Sequence, residues 1–205
     1  METKKYRLTE IHINIGGKIL YQIEALKDFA GVESGDLGGY IESEKNLSQD
    51  NDAWVYSSAK VFGNAEVYGS AKVFGNAEVF GNAEVYGSAK VFGDAWVFGN
   101  AEVFGNAKVY GSAKVYGNAE VYGNAEIKSK EDYIVFKNWW SSGRYFTWTR
   151  SNNMWKVGCF YGTGEELIKK AYNDSEISGR EYERIVRYVE EIMDENYGNK
   201  NDNNQ

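Results

Sequence analysis

Imidazole or thiolate chemistry in this chain would have to run through His12 or Cys159, its only histidine and its only cysteine. They lie at opposite ends, and neither sits in a pattern that such chemistry needs. A nucleophile needs a base within hydrogen-bond reach, and a zinc site needs three or four ligands at short spacing. His12 falls in an alternating stretch and reads as an ordinary strand residue. Cys159, beside Phe160 in an aromatic strand, reads as a small buried hydrophobe. Glu165 and Glu166 follow Thr163, where helix capping and the helix dipole account for both. Gly162-Thr163-Gly164 is too short for a phosphate loop. The expectation is a chain with no catalytic residue, no metal site and no cofactor: not an enzyme.

The residues that do recur at fixed spacing are charged and aromatic, and their chemistry is binding. Glu66, Glu84, Glu102 and Glu120 form one series. Lys72, Lys90 and Lys108 form a second, which begins at Trp54 and breaks to Glu126. A third is mixed: Lys60, Glu78, Trp96, Lys114. Aromatic series run beside them, among them Phe62, Phe80 and Phe98. Carboxylates stacked about 5 Å apart repel by roughly 0.8 kcal/mol per neighbouring pair in water. The Lys series of a second copy is an opposite charge that would relieve this, since within one copy the two series face apart. A homo-oligomer is expected. A trimer, Lys face against Glu face, is favoured, and a two-fold dimer through Phe62, Phe80 and Phe98 is the rival. Contiguous exposed aromatic surface also marks interaction sites. Near the carboxyl end, Trp139, Trp140, Trp148 and Trp155 crowd one small module, so part of the Trp139-Trp140 pair is expected to stay exposed and bind a partner.

A repeat positions these series. From Ala53 the chain reads AWVYSS, AKVFGN, AEVYGS, and so on through twelve units, with a thirteenth, AEIKSK, decaying at Lys128. Within a unit, Ala and Val stand two residues apart and point to one side of a short strand. They belong inside; the Glu, Lys or Trp between them, and the following Phe or Tyr, point outward. Gly-Asn or Gly-Ser makes the corner, because glycine accepts positive φ. The charge pattern returns every third unit, which gives three strands and 18 residues per coil and a triangular cross-section. Four complete coils give a prism about 20 Å long. The chain contains no proline, consistent with a continuous hydrogen-bonded solenoid.

The flanks differ in kind. Residues 5–26 alternate like a hairpin around Gly16-Gly17, and residues 27–52 read as loop. After the repeat, 132–138, 144–149 and 154–160 read as aromatic strands. Two helices follow, opened by capping boxes at Thr163/Glu166 and Ser178/Glu181. Tyr182, Ile185, Val186, Val189, Ile192 and Met193 form the apolar stripe of the second. The chain thus divides into a capping lead-in (1–52), a β-helix (53–130), an α+β module (131–195) and a tail expected to be disordered (196–205).

Composition narrows the partners. The net charge is −7, yet the repeat itself balances seven Lys against seven Asp or Glu; nucleic-acid coating is disfavoured and acidic mimicry of nucleic acid ranks last. No apolar run is long enough to span a membrane. The start, METKKYRLTE, lacks a signal-peptide core, so a cytoplasmic protein is expected.

Small and aliphatic inward positions at a six-residue period resemble the hexapeptide-repeat left-handed β-helix, and the left hand is implied by that resemblance alone. The segments Ala25-Leu26-Lys27-Asp28-Phe29, Gly38-Gly39-Tyr40-Ile41-Glu42 and Asn46-Leu47-Ser48-Gln49, running into Ala53-Trp54-Val55-Tyr56, are similar to uncharacterised bacterial and prophage members. So is Gly158-Cys159-Phe160-Tyr161-Gly162-Thr163 ahead of the helices. The family's γ-class carbonic anhydrases and acyltransferases rely on histidines that this repeat lacks. The resemblance implies a phage-associated, host-directed binding protein, acting on an unidentified host protein or small ligand, such as an inhibitor of a bacterial defence. The alternative is a transferase of the acyltransferase type with a site between subunits.

Overall fold

The computed structural model describes residues 4–197. Strands β1 (Tyr6–Ile15) and β2 (Lys18–Ala25) form an antiparallel hairpin. Strand β3 (Leu37–Ile41) pairs antiparallel with β2 on one side and parallel with Lys60-Val61 on the other. The stretch 27–52 is therefore not simply loop: it holds the strand that joins the hairpin to the repeat. Gly38-Gly39 hides it, since glycine carries no strand signal. At Gly39, where the repeat has Ala, a Cβ would sit 2.5 Å from the Ala59 carbonyl oxygen and 2.7 Å from Val55 Cγ1. Close approach, not flexibility, requires glycine here.

Thirteen two-residue strands, β4 to β16, run from Trp54–Val55 to Glu126–Ile127. They stack in parallel: Val55 on Val73, Val91, Val109 and Ile127 in one sheet. Val61, Val79, Val97 and Val115 form a second row, and Val67, Val85, Val103 and Val121 a third. Every repeat Ala and Val is buried in one continuous core. Ile41 pairs beneath Val61 and Leu47 bridges to Val67, so the lead-in contributes a turn of its own. The β-solenoid has about five turns, not four. At Gly93, with φ +72°, a Cβ would lie 3.1 Å from both the nitrogen and the oxygen of Gly111 in the next turn. The corner thus demands glycine twice, for its backbone and for its space.

A parallel solenoid has chemically distinct ends, because most N–H groups of a repeat unit donate to the turn that follows it, as those of Asp52, Trp54 and Tyr56 do to the Gly69, Ala71 and Val73 carbonyls. The first turn is left mainly with bare carbonyls and the last mainly with bare N–H groups. The lead-in supplies donors. Lys5 Nζ reaches the carbonyls of Ala53 (2.8 Å), Asp50 and Asn51 (both 3.3 Å), and the Tyr6 hydroxyl reaches that of Leu47 (2.6 Å). Burial holds the Lys5 ammonium down, to a pKa of about 8. The other end receives acceptors. Thr147 Oγ1 takes the Glu120 N–H (2.9 Å), Ser151 Oγ that of Glu126 (2.7 Å), and Asp132 Oδ2 those of Lys128 (2.8 Å) and Ser129 (2.7 Å). Trp54, expected to point outward, does leave the coil but is only 1% exposed. Tyr6 and Phe29 meet its ring edge-on at 6.0 and 5.3 Å, which seats the hairpin.

The carboxyl-terminal module is a four-stranded antiparallel meander, β17 (Tyr133–Lys137), β18 (Tyr145–Thr149), β19 (Met154–Val157) and β20 (Phe160–Gly162), backed by helices α1 (Gly164–Asp174) and α2 (Glu176–Tyr197). The stretch expected as one strand, 154–160, is two, turned at Gly158-Cys159. The Thr163/Glu166 capping box forms, with Glu166 Oε2 accepting from the Thr163 N–H at 2.8 Å. The Ser178/Glu181 box does not. α2 starts at Glu176, the Ser175 hydroxyl accepts from the Ser178 N–H (3.1 Å), and Glu181 pairs with Arg184 (2.6 Å). Ser175 wins because its backbone is already extended, with φ −171° and ψ 154°. Tyr182, Val186 and Val189 bury against Phe146, Trp148 and Trp155 as the stripe requires. Residues 196 and 197, expected in the disordered tail, are helical; the rest of that tail, 198–205, lies outside the described residues.

Candidate functional site

The turn after β17 is held from four directions. The Asn138 N–H donates to the Arg144 carbonyl (2.8 Å), and the Asn138 side-chain oxygen accepts from the Ser141 N–H (2.9 Å) and hydroxyl (3.0 Å). The Asn138 amide donates to the Tyr182 hydroxyl at 3.0 Å inside the module. On this fixed turn Trp140 is half-buried, its ring edge-on to Tyr182 at 4.9 Å, and its Nε1 is buried without a hydrogen-bond partner. Trp139 stands out at 74% exposure and, among the described residues, touches aromatic neighbours only through Trp140, edge-on at 6.0 Å. Trp148 and Trp155 are both buried. One indole of the four projects, from a turn held by the hydrogen bonds of Asn138.

The charged series are stacked in register, but the Glu series is not left bare within one copy. The Tyr68 hydroxyl donates to Glu84 (2.7 Å) and that of Tyr86 to Glu102 (2.9 Å). Partial burial first, then the bonded carboxylate, push both phenols well above their ordinary pKa. Glu120 pairs with Lys156 at 3.2 Å, whose ammonium also lies over the Phe104 and Tyr122 rings. The expected lack of internal relief is thus corrected, and Glu66 alone of the four has no such partner among the described residues. In the Lys series, Lys108 pairs with Glu126 (2.7 Å). Lys72 lies 5.8 Å from the Tyr56 ring centre, and Lys90 is exposed. Among the described residues neither Lys72 nor Lys90 has a carboxylate at ion-pair distance. Both line a groove of about 420 Å³ with Tyr56 and Phe74. The mixed series is internally satisfied: Lys60 pairs with Glu78 (2.9 Å) and Lys114 sits 4.3 Å over Trp96.

The aromatic series use their ring faces on each other. Phe62, Phe80 and Phe98 stack at 5.1 and 4.9 Å, nearly parallel, and are half-buried. Each such pair stabilises the sheet by roughly 0.2–1 kcal/mol. What remains outside is mostly ring edge.

His12 is an exposed residue of β1, its Nδ1 2.9 Å from the Glu10 carbonyl oxygen. Cys159 is not buried: it is exposed in the two-residue turn between β19 and β20, with Gly158 at φ +53°. A Gly at the first central position fits a type II′ turn, which points the next side chain to solvent. Among the described residues no group of three His, Cys, Asp or Glu could hold a metal ion. A cavity of about 280 Å³ between the meander and α2, lined by Trp155, Arg150, Val186 and Met193, was not legible in the sequence, because its walls come from distant segments.

No known protein-family model matches the chain, and no curated protein matches it. No described helix is long and apolar enough to cross a membrane.

Proposed function

We propose that the chain is a non-enzymatic binding and assembly protein, a left-handed triangular rod of 18 residues per turn that offers Trp139 to a partner protein. The exposed indole on a pinned turn carries this reading. A rigid tryptophan brings a large contact area at little cost in conformational entropy, which is why such residues dominate binding energetics. The family resemblance adds a phage-encoded protein acting on a host protein in the bacterial cytoplasm. Capture from bacterial lysate on the intact protein supplies the partner, and titration supplies the affinity. Trp139→Ala is expected to weaken binding about 30-fold or more, the effect of losing about 2 kcal/mol, with its melting temperature unchanged. Equal affinity of a folded Trp139→Ala protein for that partner would sink the reading.

Assembly is the second part of the proposal. Among the described residues Lys72 and Lys90 lack a carboxylate partner, and Glu66, Glu84 and Glu102 repeat at the same spacing on another face, so the strips of two copies match in register. A head-to-tail trimer uses both strips in every copy. Lys72→Glu with Lys90→Glu is expected to convert trimer to monomer in light scattering, and less trimer should be seen in wild type at high salt. A wild-type monomer at high concentration contradicts this part alone.

A further inference from the structure

The meander ends in an open edge beside Trp139. Strand order is β17-β18-β19-β20, so β17 has a neighbour on one side only. Its hydrogen-bonding phase is set by two bonds at its ends: the Arg150 N–H to the Asp132 carbonyl, and the Asn138 N–H to the Arg144 carbonyl, both 2.8 Å. Bonded pairs alternate along an antiparallel ladder. Ile134 and Phe136 therefore bond to β18 across from Trp148 and Phe146. The backbone N–H and C=O groups of Tyr133, Val135 and Lys137 point the other way, where no strand follows. Among the described residues none of these groups has a hydrogen-bond partner.

Native proteins blunt such edges with proline, a bulge, a covering loop or lysine. This edge, Tyr-Ile-Val-Phe-Lys, has strong strand formers, no proline, no bulge and, among the described residues, no covering loop; its one such device is Lys137, at its end. Alongside it runs a groove of about 420 Å³, lined by Val135 together with Tyr116, Asn118, Lys130 and Tyr145. Tyr116 is 52% exposed and continues the Phe62-Phe80-Phe98 stack to the groove. We infer that β17 accepts an extended peptide segment of the partner protein as a fifth strand of the meander, with apolar side chains at alternate positions and an acidic residue at the groove. This rests on the docking role of Trp139, which follows the edge after a single residue, and it names the form of the partner.

Charge favours a foreign segment over a second copy. Lys130 lines the groove and Lys137 ends the strand, its ammonium 5.7 Å from the Tyr145 ring. The nearby Glu131 is turned to α2, where it accepts from the Tyr197 hydroxyl (3.2 Å). Two-fold pairing of β17 with itself would bring Lys137 of one copy toward Lys130 of the other. An acidic strand meets the same lysines favourably.

The probe is a display library of random twelve-residue peptides, selected on the intact protein. Expected are sequences alternating β-branched or aromatic residues with polar ones, carrying Asp or Glu. Val135→Pro removes one outward N–H at an edge position that tolerates proline, and it should weaken the selected peptides at least tenfold. N-methylation of alternate peptide amides should do the same, and it carries the test alone if Val135→Pro does not fold. Tyr116→Ala, which removes a groove wall together with its stack on Phe98, should weaken binding several-fold. Peptides that need Trp139 but ignore Val135→Pro and N-methylation would overturn strand addition while leaving the docking role standing. Selected peptides that need neither would overturn both. Wild-type dimers that Val135→Pro abolishes would give the edge to a second copy instead and overturn the foreign-strand assignment.

Discussion

Val91→Asp is expected to abolish the cooperative melting of the solenoid. Val91 is fully buried and stacks between Val73 and Val109, with Ala and Val side chains on every side. An aspartate there finds no donor, and its carboxyl group must stay protonated and unbonded or drag water into the rod. Either costs several kcal/mol, a large part of the roughly 5–15 kcal/mol that holds a domain together. Solenoid turns contact only their neighbours, so one broken turn also separates the two halves of the rod. Val91→Ala is the control. It leaves a cavity without a buried polar group and should cost about 2 kcal/mol. Circular dichroism melting of the pair separates the effects. Wild-type stability in Val91→Asp would mean that the valines do not form the core.

Asp132→Asn has the next largest expected effect. The carboxylate is almost fully buried and joins solenoid to meander: Oδ2 accepts the Lys128 and Ser129 N–H groups and Oδ1 meets the Arg150 guanidinium. Burial pushes its pKa up, but the two backbone bonds and Arg150 outweigh it and hold the group below the usual carboxylate value. A depressed folded pKa gives stability that is present above the unfolded pKa, about 3.9, and lost as pH falls through the folded value. An asparagine keeps one acceptor oxygen, turns an amide toward donors, and leaves Arg150 without its charge partner. A cost of about 3 kcal/mol is expected at pH 7. The gap between wild type and variant should close as pH drops below about 4. A gap that does not change with pH would mean the charge is not what holds the joint.

The solenoid was legible because its signal is repeated. Ala and Val at two-residue spacing mark the inside in every unit, and the shared charge pattern marks which units stack. The first turn was not legible, because Gly39, Ile41 and Leu47 occupy the repeat positions without the repeat sequence. The caps were hidden for a different reason. Lys5, Thr147, Ser151 and Asp132 are ordinary residues until the solenoid's polarity defines which end needs donors and which needs acceptors. Ser178 misled because a capping box is a local pattern, and Ser175, already extended after α1, took the helix start. Cys159 departs from the expectation because the alternation around it runs from Met154 to Phe160 without a break, and the turn at Gly158 is set by its positive φ. At the candidate site, the crowding of four tryptophans pointed to an exposed indole, and Trp139 is that indole. The open edge of β17 could not be read at all, since which strand lies outermost in a meander is a property of packing.

Hydrogen exchange of the intact protein, alone and bound to its captured partner, tests the central claim most directly. In the free protein the amides of Tyr133, Val135 and Lys137 should exchange fast, while Ile134 and Phe136 are protected by β18. Binding should slow exchange across 133–145 and leave the Lys72 and Lys90 strands unchanged. Protection that falls on the solenoid faces, with residues 133–145 unaltered, would contradict a docking site at Trp139.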